Sequence, residues 1–170
     1  MAESHHSFSS NTILIIEDSE LMRLLIGKVL RAFDFGNIES VENVPDAFAA
    51  LERRKIDIVL TDWLLEGPSG LDFASKLRRN YEDPLRRTPI VMCTAYTDMA
   101  RIFAARDSGV NEILTKPFSP QRMYDALFNA LFRPRSFIET LDFVGPDRRR
   151  KQIPIDFPDR RAMAAARVEI

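Results

Sequence analysis

Five short apolar runs, each followed by a polar residue and then by an amphipathic stretch, constrain this chain more than any other feature. Ile13-Leu14-Ile15-Ile16 runs into Glu17-Asp18, and Ile56-Asp57-Ile58-Val59-Leu60 runs into Thr61-Asp62. Pro89 to Cys93 ends at Thr94, Val110 to Leu114 ends at Thr115-Lys116-Pro117, and Asn37 to Val41 is a shorter, more polar run. Continuous apolar runs of this length read as strands buried on both faces. The stretches between them carry helix signals. Ser19 caps a helix through Leu21, Leu25 and Leu30, and Pro45-Asp46 opens one through Leu51. Leu71 to Leu77 and Asp98 to Asp107 are helical, and Ser119-Pro120 caps a last helix through Leu131, with Pro120 at a position where its missing N–H is no loss. Strict strand–helix alternation predicts an α/β fold: a five-stranded parallel, doubly wound (flavodoxin-like) sheet with helices on both faces.

The 170 residues divide by composition into a flexible N-terminus (1–10), a globular domain (11–132) and an arginine-rich, irregular tail (133–170). Arg133–Ile170 hold nine Lys/Arg and six Asp/Glu, a net +3; the first 132 residues hold 15 and 19, a net −4. An acidic body with a basic tail points to an anionic partner for the tail. The opening MAESHHSFSSN lacks the apolar core of a secretory signal, and no run approaches the length of a membrane span. His5 and His6 stand without Cys or acidic partners, a weak metal signal. The single cysteine, Cys93, sits inside an apolar run and reads as a small buried hydrophobe, which fits a cytoplasmic protein.

Ligand sites of open parallel sheets lie at the carboxyl ends of the strands. Glu17, Asp18, Asp62, Thr94 and Lys116 all fall there. Three carboxylates converging on one crevice repel, and a hard divalent cation that keeps several waters, Mg²⁺, relieves the repulsion. A carboxylate can act as nucleophile and form an acyl phosphate. The metal and a lysine then offset the developing charge, and a hydroxyl donates to a phosphoryl oxygen. This assigns Asp62 as phosphoacceptor, Glu17 and Asp18 as metal carboxylates, Lys116 as counter-cation and Thr94 as the group that senses the phosphoryl. Each residue also has a plainer reading: a strand-end carboxylate can simply cap the next helix, and Lys116 can simply pair with it.

At these residues the chain resembles the receiver domains of bacterial two-component response regulators. The resemblance is carried by "ILIIEDSELMR", "DIVLTDW", "GLDF" eight residues past Asp62, "VMCTA" and "LTKPF", in that order. It implies a histidine kinase as phosphoryl donor, a metal contact from the Leu64 backbone carbonyl, a cis Lys116–Pro117 peptide, and signalling chemistry rather than an enzyme's. Two departures stand out. Ile113 occupies the place, three residues before the lysine, where the family often has an aromatic that reports phosphorylation. Leu64 stands two residues after Asp62, where a polar side chain is common, and an apolar one there could slow hydrolysis of the phosphoryl group.

The tail writes one phrase twice, "PDRRR" at 146–150 and "PDRR" at 158–161. Arginine forks bind phosphate bidentately and match the O6/N7 edge of guanine, aspartate accepts from guanine N–H groups, and Arg or Phe planes stack on purines. Asp147, Arg148, Arg149 and Asp159, Arg160, Arg161 therefore suit a ligand with two guanines and two phosphates, and cyclic di-GMP is such a ligand. The tail also resembles the arginine-rich segment of chemotaxis-type receiver proteins that bind cyclic di-GMP and act at the flagellar motor switch. The alternatives are a phosphorelay intermediate, or a plain receiver with a ligand-free tail. Interspersed Asp147, Asp156 and Asp159 argue against plain polyanion binding, and no segment of the chain reads as a DNA-binding domain.

Overall fold

The computed structural model describes residues 7–149. Its centre is a five-stranded parallel sheet: β1 (Thr12–Ile16), β2 (Asn37–Val41), β3 (Ile58–Asp62), β4 (Ile90–Thr94) and β5 (Glu112–Thr115), in the order β2-β1-β3-β4-β5. The expected flavodoxin-like architecture is the one observed. Alternate strand residues face opposite sides, so each strand feeds two cores. Leu14, Ile16, Val59, Ile90 and Met92 meet Phe48 of α2 (Val44–Arg53), Phe73 and Leu77 of α3 (Gly70–Asn80) and Ala105 of α4 (Met99–Asp107). Ile13, Ile15, Ile58, Leu60, Val91 and Cys93 meet Ile26 and Leu30 of α1 (Glu20–Ala32) and Met123 and Leu127 of α5 (Pro120–Phe132).

The helix starts are built from local hydrogen bonds. Ser19, Asn43, Ser69, Asp98 and Ser119 each accept from a backbone N–H of the first turn they cap. Ser69 and Asp72 cap each other reciprocally, and those bonds hold the Asp72 carboxyl below its usual range. The α2 cap lies two residues before the Pro45-Asp46 signal, because Pro45 sits inside the first turn.

Two boundaries differ from expectation. The expected flexible N-terminus reaches residue 10, yet Phe8 is only 2% exposed. Its ring stacks on Phe35 at 4.4 Å and lies against Tyr124 and Phe132, closing the gap between the ends of α1 and α5. The expected irregular tail starts at residue 133, yet β6 (Phe137–Glu139) and β7 (Val144–Pro146) form an antiparallel hairpin that packs on the domain.

The hairpin is seated on a buried arginine. Arg78 of α3 donates to the carbonyls of Gly109 (2.9 Å), Arg86 (2.5 Å) and Thr88 (2.9 Å) and to Asn111 Oδ1 (3.1 Å). Burial pushes its guanidinium down to about 9, so it remains charged at neutral pH and is satisfied by oxygens instead of a carboxylate. Phe137 of β6 lies against the guanidiniums of Arg78 and Arg87. Gly109, at φ +89°, is the close-approach point: a Cβ there would stand 2.9 Å from the Val144 carbonyl oxygen. Arg135 donates to Asp147 O at 2.7 Å and to Asn111 O, tying both ends of the hairpin to the start of β5. His5, His6, Asp156, Asp159, Arg160 and Arg161 lie outside the described residues. No helix among the described residues is long and apolar enough to cross a membrane.

Candidate functional site

Register places the site. Asp62, the last residue of β3, pairs with Cys93, so Thr94 ends β4 one step further on; Thr94 pairs with Thr115, and Lys116 comes next. Glu17 comes directly after Ile16 at the end of β1 and is held by a bond from its N–H to Val41 O at 3.2 Å. The carboxyl edge of the sheet therefore carries Glu17, Asp62, Thr94 and Lys116 together.

Lys116 Nζ lies 2.9 Å from Asp62 Oδ2 and 3.7 Å from Glu17 Oε2. Burial alone would push its ammonium down. The bond to Asp62 and the charges of Asp62 and Glu17 outweigh that and hold it above its usual value. Glu17 is 3% exposed, and burial, reinforced by the Asp62 charge, raises its carboxyl despite Lys116. One cation thus only partly offsets two carboxylates. Lys116–Pro117 is cis, and the Lys116 N–H donates to Thr94 O at 2.7 Å.

Asp18 departs from the expected three-carboxylate convergence. Its Oδ2 accepts from Glu66 N at 2.9 Å, turning it toward the loop after β3. Among the described residues, no three His, Cys, Asp or Glu side chains are gathered closely enough to hold a metal ion. Magnesium keeps several waters and needs only one or two carboxylates. The all-oxygen donor set and the incompletely balanced charge on Glu17 fit that ion. The resemblance to receiver domains implies Mg²⁺ in this cleft, where Asp62, with Glu17 or Asp18, would hold it. The Leu64 side chain is 56% exposed beside the site.

One residue that sequence reasoning missed supports the acidic turn. Arg23 of α1 donates to the carbonyls of Glu17 (2.6 Å) and Asp18 (2.9 Å) and pairs with Glu42 at 2.6 Å. Its only sequence signal is a basic residue one turn past the acidic pair. Gly70 opens α3 against the acceptor strand: a Cβ there would stand 2.1 Å from Asp62 O. That is the physical reason for a glycine eight residues past Asp62. Cys93 is buried, its thiol pushed up to about 12 by desolvation, which leaves it unreactive.

The described tail residues lie elsewhere. Arg148 Nη1 pairs with Asp107 at 2.9 Å, its guanidinium stacks 3.9 Å from the Phe143 ring centroid, and its carbonyl accepts from Arg106 at 2.7 Å. Asp147 N donates to Ser136 O at 2.7 Å, and Asp147 Oδ1 accepts from Arg149 N at 3.0 Å. These contacts gather at the C-terminal end of α4 and the start of β5, the sheet edge opposite Asp62. The structure does not bring Asp147, Arg148 and Arg149 to the Glu17–Asp62–Lys116 cluster.

A five-stranded sheet of this order, with a carboxylate on its third strand facing a lysine after its fifth, defines the receiver class of signalling domains. Residues 13–128 match the response regulator receiver domain family, and the chain belongs to it. Chemotaxis protein CheY-3 of Vibrio cholerae serotype O1 is 31% identical over 115 residues, covering 68% of this chain and 87% of that relative. Chemotaxis protein CheY of Pseudomonas aeruginosa is 32% identical over 109 residues, covering 64% and 86%. Among solved structures, the receiver domain of sensor histidine kinase PA1611 from Pseudomonas aeruginosa PAO1, which has a magnesium ion coordinated in its active site cleft, matches with a TM-score of 0.65 and 24% identity, covering 72% of this chain and 98% of that one. CheY4 of Vibrio cholerae matches with a TM-score of 0.65 and 22% identity, covering 71% and 98%. The protein is a CheY-like response regulator. Phosphorylation on aspartate is expected for the family, and membership implies a histidine kinase as partner.

Proposed function

We propose that this response regulator accepts a phosphoryl group on Asp62 from a histidine kinase, that its arginine-rich tail binds cyclic di-GMP, and that it signals by docking onto a protein target such as the flagellar motor switch. The observation that carries the first part is Lys116 Nζ standing within reach of both Asp62 and Glu17. An Asp62 carboxylate oxygen attacks the phosphorus of the donor phosphohistidine, and the P–N bond to the imidazole breaks. Lys116 offsets the incoming charge and the Thr94 hydroxyl donates to a phosphoryl oxygen. Bound Mg²⁺ supplies further charge neutralisation. Incubation with acetyl phosphate and Mg²⁺, resolved by phosphate-affinity electrophoresis, tests this. One phosphate per chain is expected, with none on Asp62→Asn; an equally phosphorylated Asp62→Asn variant overturns the assignment.

The repeated Pro-Asp-Arg-Arg phrase supports the nucleotide reading, and Asp147, Arg148 and Arg149 supply its first half. Titration of the full chain with cyclic di-GMP at physiological salt tests it. Saturable heat, weakened by Arg148→Ala and by Arg160→Ala, is expected. A second reading, a receiver with a ligand-free tail, is favoured by one observation: Arg148 is already engaged by Asp107 and Phe143. Absence of heat would select it.

A further inference from the structure

Glu17 and Asp18 lie in the turn between β1 and α1, and their aim depends on what holds the backbone of that turn. The Glu17 N–H donates to Val41 O, at the end of β2, at 3.2 Å. Arg23, in the first turn of α1, holds the next two carbonyls with one nitrogen: Nη1 donates to Glu17 O at 2.6 Å and to Asp18 O at 2.9 Å. The other arm of the fork, Nη2, meets Glu42 Oε1 at 2.6 Å, in the turn between β2 and α2. The Arg23 side chain is 13% exposed and that of Glu42 is 67% exposed. One guanidinium thus ties together the turns that follow β1 and β2. It does so from the backbone side, so the Glu17 and Asp18 carboxylates are left to Ser19 N, Lys116 and Glu66 N.

We propose that Arg23, with Glu42 as its counter-charge, is a positioning residue that sets the affinity of the acidic turn for a divalent cation. The inference rests on the Mg²⁺ reading of this cleft. Two effects of Arg23 oppose each other. As a cation beside an acidic pair it repels a second cation. As a fork it fixes two successive carbonyls, and through them the directions in which the Glu17 and Asp18 side chains leave the chain. The repulsion is weak, because Glu42 at 2.6 Å cancels most of the guanidinium's charge beyond its immediate neighbourhood. Nothing cancels the positioning effect, and groups that orient metal ligands are worth about 10- to 100-fold in affinity. Positioning therefore outweighs repulsion, and removing this positive charge weakens the binding of a positive ion. Arg23→Lys keeps the charge, but a single ammonium cannot reproduce a planar fork that spans two carbonyls and a carboxylate.

Trp63, the chain's one tryptophan, follows Asp62, and its N–H donates to Asp62 Oδ1 at 2.8 Å, so its fluorescence reports a cation at that carboxylate. The test is a Mg²⁺ titration of the full chain at neutral pH and fixed ionic strength, followed by Trp63 fluorescence and by calorimetry, with urea midpoints measured without Mg²⁺. Arg23→Gln and Arg23→Lys are each expected to raise the Kd for Mg²⁺ about tenfold. Glu42→Gln, an exposed change, is expected to raise it by a smaller factor. The double variant Arg23→Gln/Glu42→Gln is expected to bind no more weakly than Arg23→Gln alone, since Glu42 acts through Arg23. An unchanged Kd in folded Arg23→Gln overturns the proposal. So does a lower one, which would make Arg23 only a repelling charge. Additive losses in the double variant overturn the pairing with Glu42. Should both Arg23 variants unfold, Glu42→Gln decides alone, and an unchanged Kd there overturns the proposal. A wild type that binds no Mg²⁺ by either method sinks the metal reading, and the positioning role with it.

Discussion

Lys116 Nζ, 2.9 Å from Asp62 Oδ2, also pairs with the carboxylate of Glu17, whose Oε2 lies 3.7 Å away. Burial and the Asp62 charge leave Glu17 with a carboxyl raised above its ordinary 4.5. From pH 4.5 up to that raised value, the folded state holds a proton that the unfolded chain has released. Stability therefore falls as pH rises across this window. Glu17→Gln is expected to flatten the slope and to raise the urea midpoint at pH 7. A lower midpoint at pH 7 would mean that the Lys116–Glu17 attraction outweighs the burial cost. Lys116 has the same sign of pH dependence in a much higher window. It is held above 10.5, so its contribution is complete at neutral pH and is lost only as pH rises through the folded value.

Arg78→Met should lower stability by about 3 kcal/mol, since it leaves buried carbonyls at Gly109 and Thr88 without their donor. For a chain of this size that is a fall of about 10 °C in Tm. Arg78→Lys should recover little, because one ammonium cannot span four oxygens set in a fork. Amide exchange should locate the loss first in 137–146. A Tm within a degree or two of wild type would show that the hairpin does not depend on Arg78.

The contrast between Lys116 and Arg78 separates the legible from the hidden. Lys116 sits just past an apolar run, and an open parallel sheet gathers the residues at its strands' carboxyl ends along one edge, so the Glu17–Asp62–Lys116 cluster was legible from periodicity alone. Arg78 reads in the sequence as part of a solvated helix face, "KLRRN". The oxygens that hold it, on Arg86, Thr88, Gly109 and Asn111, lie further along the chain, and the hairpin packed near it has strands of three residues, one ending in Pro146, that carry no alternation to detect. Phe8 was hidden among serines for the same reason: its partners Phe35, Tyr124 and Phe132 are distant in the chain. The turn of Asp18 toward Glu66 depends on the path of the loop after β3, which no local pattern specifies.

Leu64, more than half exposed beside Asp62, presents no polar atom to orient an attacking water. A phosphorylated Leu64→Asn variant, freed of donor, should lose its phosphoryl group several-fold faster than wild type in a phosphate-release assay. Equal or slower loss would show that the side chain at 64 does not limit hydrolysis.

Arg148 connects the tail to α4 through its ion pair with Asp107, its stack on Phe143 and the bond that its carbonyl accepts from Arg106. A nucleotide that needs the Arg148 fork must first compete with the Asp107 carboxylate. Both side chains are partly exposed, at 36% and 56%, so the pair is screened and contributes only about 0.2–1 kcal/mol. Removing it raises the fraction of chains whose Arg148 is free to bind. Asp107→Asn should therefore tighten cyclic di-GMP binding modestly, by about fivefold at most, and the hairpin should remain folded on its Arg78 seat. Weaker binding in Asp107→Asn would mean that the docked arrangement of Arg148 is itself the binding conformation, with Asp107 holding the fork in place for the ligand. Unchanged affinity would place the nucleotide on arginines other than Arg148, a result that Arg149→Ala and Arg160→Ala titrations would then resolve.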